Sequence, residues 1–119
     1  MGNPESLTHG HPARMTSFVR VIPQPERFAE VLRTLRSIIG PTQAESGCLR
    51  CSLCQDVLSE NEIILFEEWA TQADLDRHLR SAEYRKILAA LDLSSQPPEV
   101  LFHVVGETRG LEAVAAARQ

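Results

Sequence analysis

Apolar and polar positions change period several times along the chain, and each change predicts an element. Met15–Ile22 has the residues of a strand, stopped by Pro23 and Pro25. Glu26–Ile39 then places Phe28, Val31, Leu32, Leu35, Ile38 and Ile39 on one face of a 3.6-residue period. A helix is expected there, ended by Gly40-Pro41. A loop over 41–47 leads into a second strand, Cys48–Asp56. The turn Val57–Asn61 and a third strand, Glu62–Trp69, complete a hairpin with it.

Thr71 reads as a helix cap, with Asp74 three residues on as a capping box. Leu75, His78 and Leu79 share the inner face of that short helix. Ser81 opens a second helical segment with Tyr84, Ile87, Leu88 and Leu91 in helical register. Leu93–Glu99 is a Ser/Pro-rich connector, Val100–Thr108 a final strand, and the Ala-rich tail after it a frayed helix. Strand, helix, strand, strand, helix pair, strand is the βαββαβ order of an α+β, ferredoxin-like sandwich, an antiparallel sheet with helices on one face. The expected domain is 15–109, preceded by a disordered leader, 1–14, and followed by the tail, 110–119.

A sheet wetted on one face alternates apolar and polar residues. This one does not. The third strand has Ile63 and Leu65 on one side and Ile64 and Phe66 on the other, and the last strand has Val100, Phe102 and Val104 against Leu101, His103 and Val105. The helices cover only one face, so the other is expected to meet a second copy in a homodimer.

Composition narrows the function. A chain of 119 residues is one domain, and a net charge of −4 speaks against a nucleic-acid partner. No run of 18 apolar residues exists to span a membrane. The leader has no apolar segment of a secretory signal, and three cysteines, an odd number, fit a reducing cytoplasm. Cys48-x-x-Cys51-x-x-Cys54 invites a metal reading, but residues three apart on a strand face opposite ways. No metal site is therefore expected, and Cys51 is placed with Leu49 and Leu53 on the helix side.

The candidate pocket lies at the end of the third strand. Glu67 and Trp69, the only tryptophan, alternate in phase with Ile63 and Leu65, so the four share a face. His78 from the inner face of the next helix points toward the same space, and Tyr84 adds a hydroxyl. Phe18 and Arg20, in phase on the first strand, complete the wall with Leu65 and Cys51. Packing alone also accounts for a strand-end Trp or a helix-face His, and Glu67 and Arg20 also read as an ion pair.

Glu67-x-Trp69 followed by Asp76-x-His78-Leu79, together with Ser46-Gly47-Cys48-Leu49-Arg50, resembles the antibiotic biosynthesis monooxygenase family, which includes quinol monooxygenases. The resemblance runs from Met15 to about Thr108. It implies a sheet-to-sheet dimeric α/β barrel and a cofactor-free monooxygenase that oxidises a quinol, anthrone or polyketide aromatic with dioxygen. It implies His78 as base or proton shuttle, Trp69 as indole donor and stacking wall, and Glu67 as the group that orients one of them. Phe18, Arg20, Cys51, Leu65 and Tyr84 would then bind the substrate. The family often has Tyr where Cys51 stands, and Ser-Pro-His-Phe where this chain reads Ser81-Ala82-Glu83-Tyr84. These departures leave two other readings: an isomerase or lyase in which His78 moves a proton without dioxygen, and a non-catalytic ligand-binding stress-response dimer.

Overall fold

A computed structural model describes residues 13–119. His9, His11 and the expected leader, apart from its last two residues, lie outside that range. Arg14, assigned to the leader, is the first residue of strand β1, Arg14–Val21. A 3-10 turn over Pro25–Arg27 runs into helix α1, Phe28–Gln43. Strands β2, Cys48–Gln55, and β3, Ile63–Trp69, form the hairpin. Helices α2, Gln72–Leu79, and α3, Ala82–Leu91, precede strand β4, Glu99–Val105, and the terminal helix α4, Leu111–Ala117. The sheet is antiparallel, in the order β2-β3-β1-β4, which is the ferredoxin-like arrangement.

Burial along the two central strands alternates strictly. Met15, Ser17, Val19 and Val21 of β1, and Ile63, Leu65, Glu67 and Trp69 of β3, are buried under the helices. Val31, Leu35 and Ile38 of α1 and Ile87 of α3 close the main core over them. Each such aliphatic side chain contributes roughly 1.5–3 kcal/mol on burial. A second, smaller cluster of Met15, Trp69 and Leu75 sits at the far end of the sheet, where α2 crosses it. No helix among the described residues is long and apolar enough to cross a membrane.

Three expectations about the elements change. Helix α1 does not stop at Gly40-Pro41 but continues to Gln43. The clash that drives a pre-proline residue out of the helical region involves its Cβ, which Gly40 lacks. On α3 the inward position after Ile87 is Ala90, while Leu88 is half exposed. The final strand ends at Val105, and beyond Val100 its helix-side residues Phe102 and Val104 are exposed, because the helices do not reach over this edge.

The cysteine geometry changes as well. A bulge between Cys48 and Arg50 shifts the register, so that Cys48 opposes Trp69 and Cys51 opposes Glu67. Cys48 and Cys51 therefore share the helix face, against the simple alternation expected, while Cys54, opposite Ile64, lies on the other face. Leu49, expected beside Cys51, is turned outward at the bulge.

Candidate active site

Strand period puts Glu67 and Trp69 side by side under α2, and the Trp69 indole N–H donates to Glu67 Oε1 at 3.0 Å. Helix α2 begins at Thr71, whose hydroxyl oxygen accepts the Asp74 N–H at 3.1 Å. The same hydroxyl donates to the Asp74 carboxylate at 2.9 Å, a variation on the reciprocal box expected there. From that start, helical spacing carries Leu75 and His78 inward. The His78 ring stacks on Trp69, with centroids 4.6 Å apart and planes 28° apart. Its Nε2 lies 3.3 Å from Glu67 Oε2. Tyr84, the first buried residue of α3, meets the same ring edge-on at 5.4 Å.

The other imidazole nitrogen finds a residue that sequence reasoning missed. His78 Nδ1 lies 3.1 Å from both carboxylate oxygens of Glu45, in the loop between α1 and β2. That loop is pinned at several points. The Glu45 carbonyl accepts from Cys48 N–H, and the Gly47 carbonyl accepts from Ala70 N–H at 2.8 Å. Arg77 of α2 donates to the Ser46 carbonyl at 3.3 Å. Gly47 turns the chain at φ 82°, a left-handed conformation suited to glycine. Glu45 had a signal in the sequence: it precedes the Ser46-Gly47-Cys48 motif, where the resembling family carries an acidic residue.

These contacts form one chain, Trp69 to Glu67 to His78 to Glu45. The side chains of Glu67 and His78 are 1% and 0% exposed, whereas Glu45 is 21% exposed. Burial pushes the His78 pKa down, but hydrogen bonds and charge from Glu67 and then Glu45 more than reverse it, and the net shift is upward. Burial, and then the Glu67 charge, raises the Tyr84 pKa. The same two causes push the Cys51 thiol up to about 12 and hold it neutral. Ser17, the β1 neighbour of Glu67 on the same face, is fully buried, and its hydroxyl has no hydrogen-bond partner. It too was missed, since a serine inside a strand carries no distinctive pattern.

Of the expected site residues, the structure brings together Glu67, Trp69, His78 and Tyr84. Cys51 flanks Glu67 from β2 and also lines a cavity of about 310 Å³ with Gln43, Cys48, Leu49, Arg50 and Ser52 at the sheet edge. Leu65 shares the face but is sealed into the main core. Phe18 and Arg20 do not belong to this pocket. They alternate out of phase with Ser17 and Val19 and project from the uncovered face, where Arg20 pairs with Glu99 and with Glu62 at 3.3 Å. The strand period decides this: Phe18 opposes Phe66, not Glu67.

Residues 15–90 match the family model described as antibiotic biosynthesis monooxygenase. A Mycobacterium tuberculosis protein provisionally named a monooxygenase is 33% identical over 91 residues, which cover 72% of this chain and 89% of that protein. Its solved structure superposes with a TM-score of 0.75 at 25% identity, covering 82% of this chain and all of that one. A Synechocystis protein is 27% identical over 89 residues; the match covers 74% of this chain but only 60% of the relative's length.

Proposed function

The chain belongs to the antibiotic biosynthesis monooxygenase family, and from that premise we propose that it is a cofactor-independent monooxygenase acting on a quinol- or anthrone-type aromatic. The observation that carries the reading is the buried Glu67–His78 pair stacked on Trp69. Dioxygen reacts slowly with a neutral phenol and faster with its anion, so the protein's part is to take a proton in a dry site. A carboxylate–imidazole pair beside an indole wall supplies the acceptor, the donor and the exclusion of water. The phenolic O–H breaks, and its proton joins the Glu67–His78 pair. The resulting anion passes electrons to dioxygen; one oxygen atom bonds to the ring and the other leaves as water with two protons. The substrate itself is oxidised, so no external reductant is needed.

His78 is better suited to shuttling the proton than to accepting it alone. Facing a carboxylate at each nitrogen, it keeps its proton to higher pH than an ordinary histidine. Glu67 is then the acceptor nearest the substrate, and the orphan Ser17 hydroxyl beside it is placed to bind a substrate oxygen.

The active form is a homodimer through the open sheet face. There Ser52, Phe66, Phe18 and Leu101 stand in one row across all four strands. Such a row, partly exposed in one protomer, favours association. Three free thiols suit a cytoplasmic setting.

The test is oxygen uptake with a panel of hydroquinones and anthrones, comparing the unaltered protein with Trp69→Phe and His78→Ala. Uptake that both substitutions reduce supports the reading. Uptake equal to buffer on every substrate overturns it and favours proton transfer without dioxygen, or ligand binding alone.

A further inference from the structure

We propose that Glu45 is the outer end of a proton relay that connects the buried Glu67–His78 pair with solvent. The proposal rests on the oxygenase reading for its catalytic purpose but not for its physical test. Each imidazole nitrogen faces a different carboxylate: Nε2 faces Glu67 at 3.3 Å and Nδ1 faces Glu45 at 3.1 Å. Exposure rises along that line, from 1% at Glu67 and 0% at His78 to 21% at Glu45. A site that takes up a substrate proton in a sealed interior needs a way to return it to water. An imidazole bridging an inner and an outer carboxylate provides one.

The remaining groups that face His78 do not compete for this role. Tyr84 stands at right angles to the His78 ring, with its pKa raised, and Trp69 offers only a stacked face and an N–H already given to Glu67. The nearby β2 thiols, Cys48 and Cys51, have raised pKa values and stay protonated. The loop holds Glu45 in place through its own backbone, its N–H donating to the Thr42 carbonyl at 3.0 Å and its carbonyl accepting from Cys48. Its carboxylate then presents both oxygens to Nδ1.

The step balances without electron transfer. A substrate O–H bond breaks and an O–H bond forms on Glu67. The Nδ1–H bond of His78 breaks, and the Glu45 carboxylate takes that proton and releases it to water. As Nδ1 loses its proton, the O–H bond on Glu67 breaks and an Nε2–H bond forms on His78, which leaves Glu67 a carboxylate again. Reprotonation of the product from Glu67, with a proton returning through Glu45, restores the start.

The experiment measures exchange of the His78 ring protons with water by NMR magnetisation transfer, without substrate, in the unaltered protein, Glu45→Gln and Glu45→Ala. Glu45→Gln preserves shape and a hydrogen-bonding oxygen but cannot carry the proton, so it controls for loss of the loop structure. The relay requires exchange to slow several-fold in both variants, and added formate to restore it in Glu45→Ala. Exchange unchanged or faster in both variants overturns the relay, because solvent then reaches His78 by another route. With a quinol that supports oxygen uptake, both variants should lose kcat by on the order of 10²-fold with KM nearly constant; undiminished kcat also overturns it. If no quinol is oxidised and exchange nevertheless slows, the relay holds and the oxygenase reading is what fails.

Discussion

Replacing Gly47 by alanine tests how the loop holds Glu45 over the site. Gly47 has φ 82°, and a Cβ there would lie 2.1 Å from Asp74 Cγ and Oδ2 and 2.7 Å from Asp74 Cβ. Rotating the Asp74 side chain removes the first two contacts but not the third. The first turn of α2 must therefore shift, or the loop must lift. Left-handed backbone costs an L-residue roughly 1–2 kcal/mol. Disturbing the Thr71–Asp74 cap costs about 1 kcal/mol more. Urea unfolding followed by circular dichroism should give a loss on the order of 2–4 kcal/mol, the upper part reflecting the displaced helix turn. In an Asp74→Ala background the collision with Cγ and Oδ2 is gone but the 2.7 Å contact with Cβ stays, so the cost of Gly47→Ala should fall only in part. The same lifted loop should lower the His78 pKa, since Glu45 moves away from Nδ1. A Gly47→Ala protein within about 0.5 kcal/mol of the original would refute the geometry of this loop.

On the helix face, thiol labelling should follow exposure and pKa: Cys48 reacts slowly and buried Cys51 only on unfolding, as read by mass spectrometry. Because the folded His78 binds its proton more tightly than the ordinary value of 6.5 implies, its contribution is complete below that pH and lost as pH climbs through the raised pKa. The urea midpoint should fall over that interval in the original protein and stay flatter in His78→Gln; a rise would reverse the sign of the shift. Phe66→Lys places a charge in the apolar row of the open face and should yield monomers in sedimentation with unchanged helical content, whereas an intact dimer would move the interface elsewhere.

Much of the fold was legible because two periods dominate it. The stripe from Phe28 to Ile39 admits one orientation, which is observed, and the two-residue period from Ile63 to Trp69 put Glu67 and Trp69 in phase with Ile63 and Leu65, as the alternating burial shows. That alternation also placed Glu67 and Trp69 together, and the helix period brought His78 to them. What failed depended on single-residue irregularities. The bulge after Cys48 reversed the expected facing of Cys48 and Leu49, and the missing Cβ of Gly40 let α1 pass Pro41. Phe18 and Arg20 went to the wrong face because an apolar strand does not declare which side the helices cover. Glu45 lies in a loop, where periodicity says nothing, and its backbone bonds to Thr42 and Cys48 together with the turn at Gly47 hold it over His78.

The central claim is cofactor-free oxygenation in the Glu67–His78–Trp69 site, and isotope tracing tests it most directly. The protein, treated with chelator and supplied with an oxidisable quinol under oxygen-18 gas, should place one labelled atom in the organic product and the other in water. His78→Ala should sharply reduce labelled product. Product oxygen derived from water, or labelled product formed equally well by His78→Ala, would contradict the account.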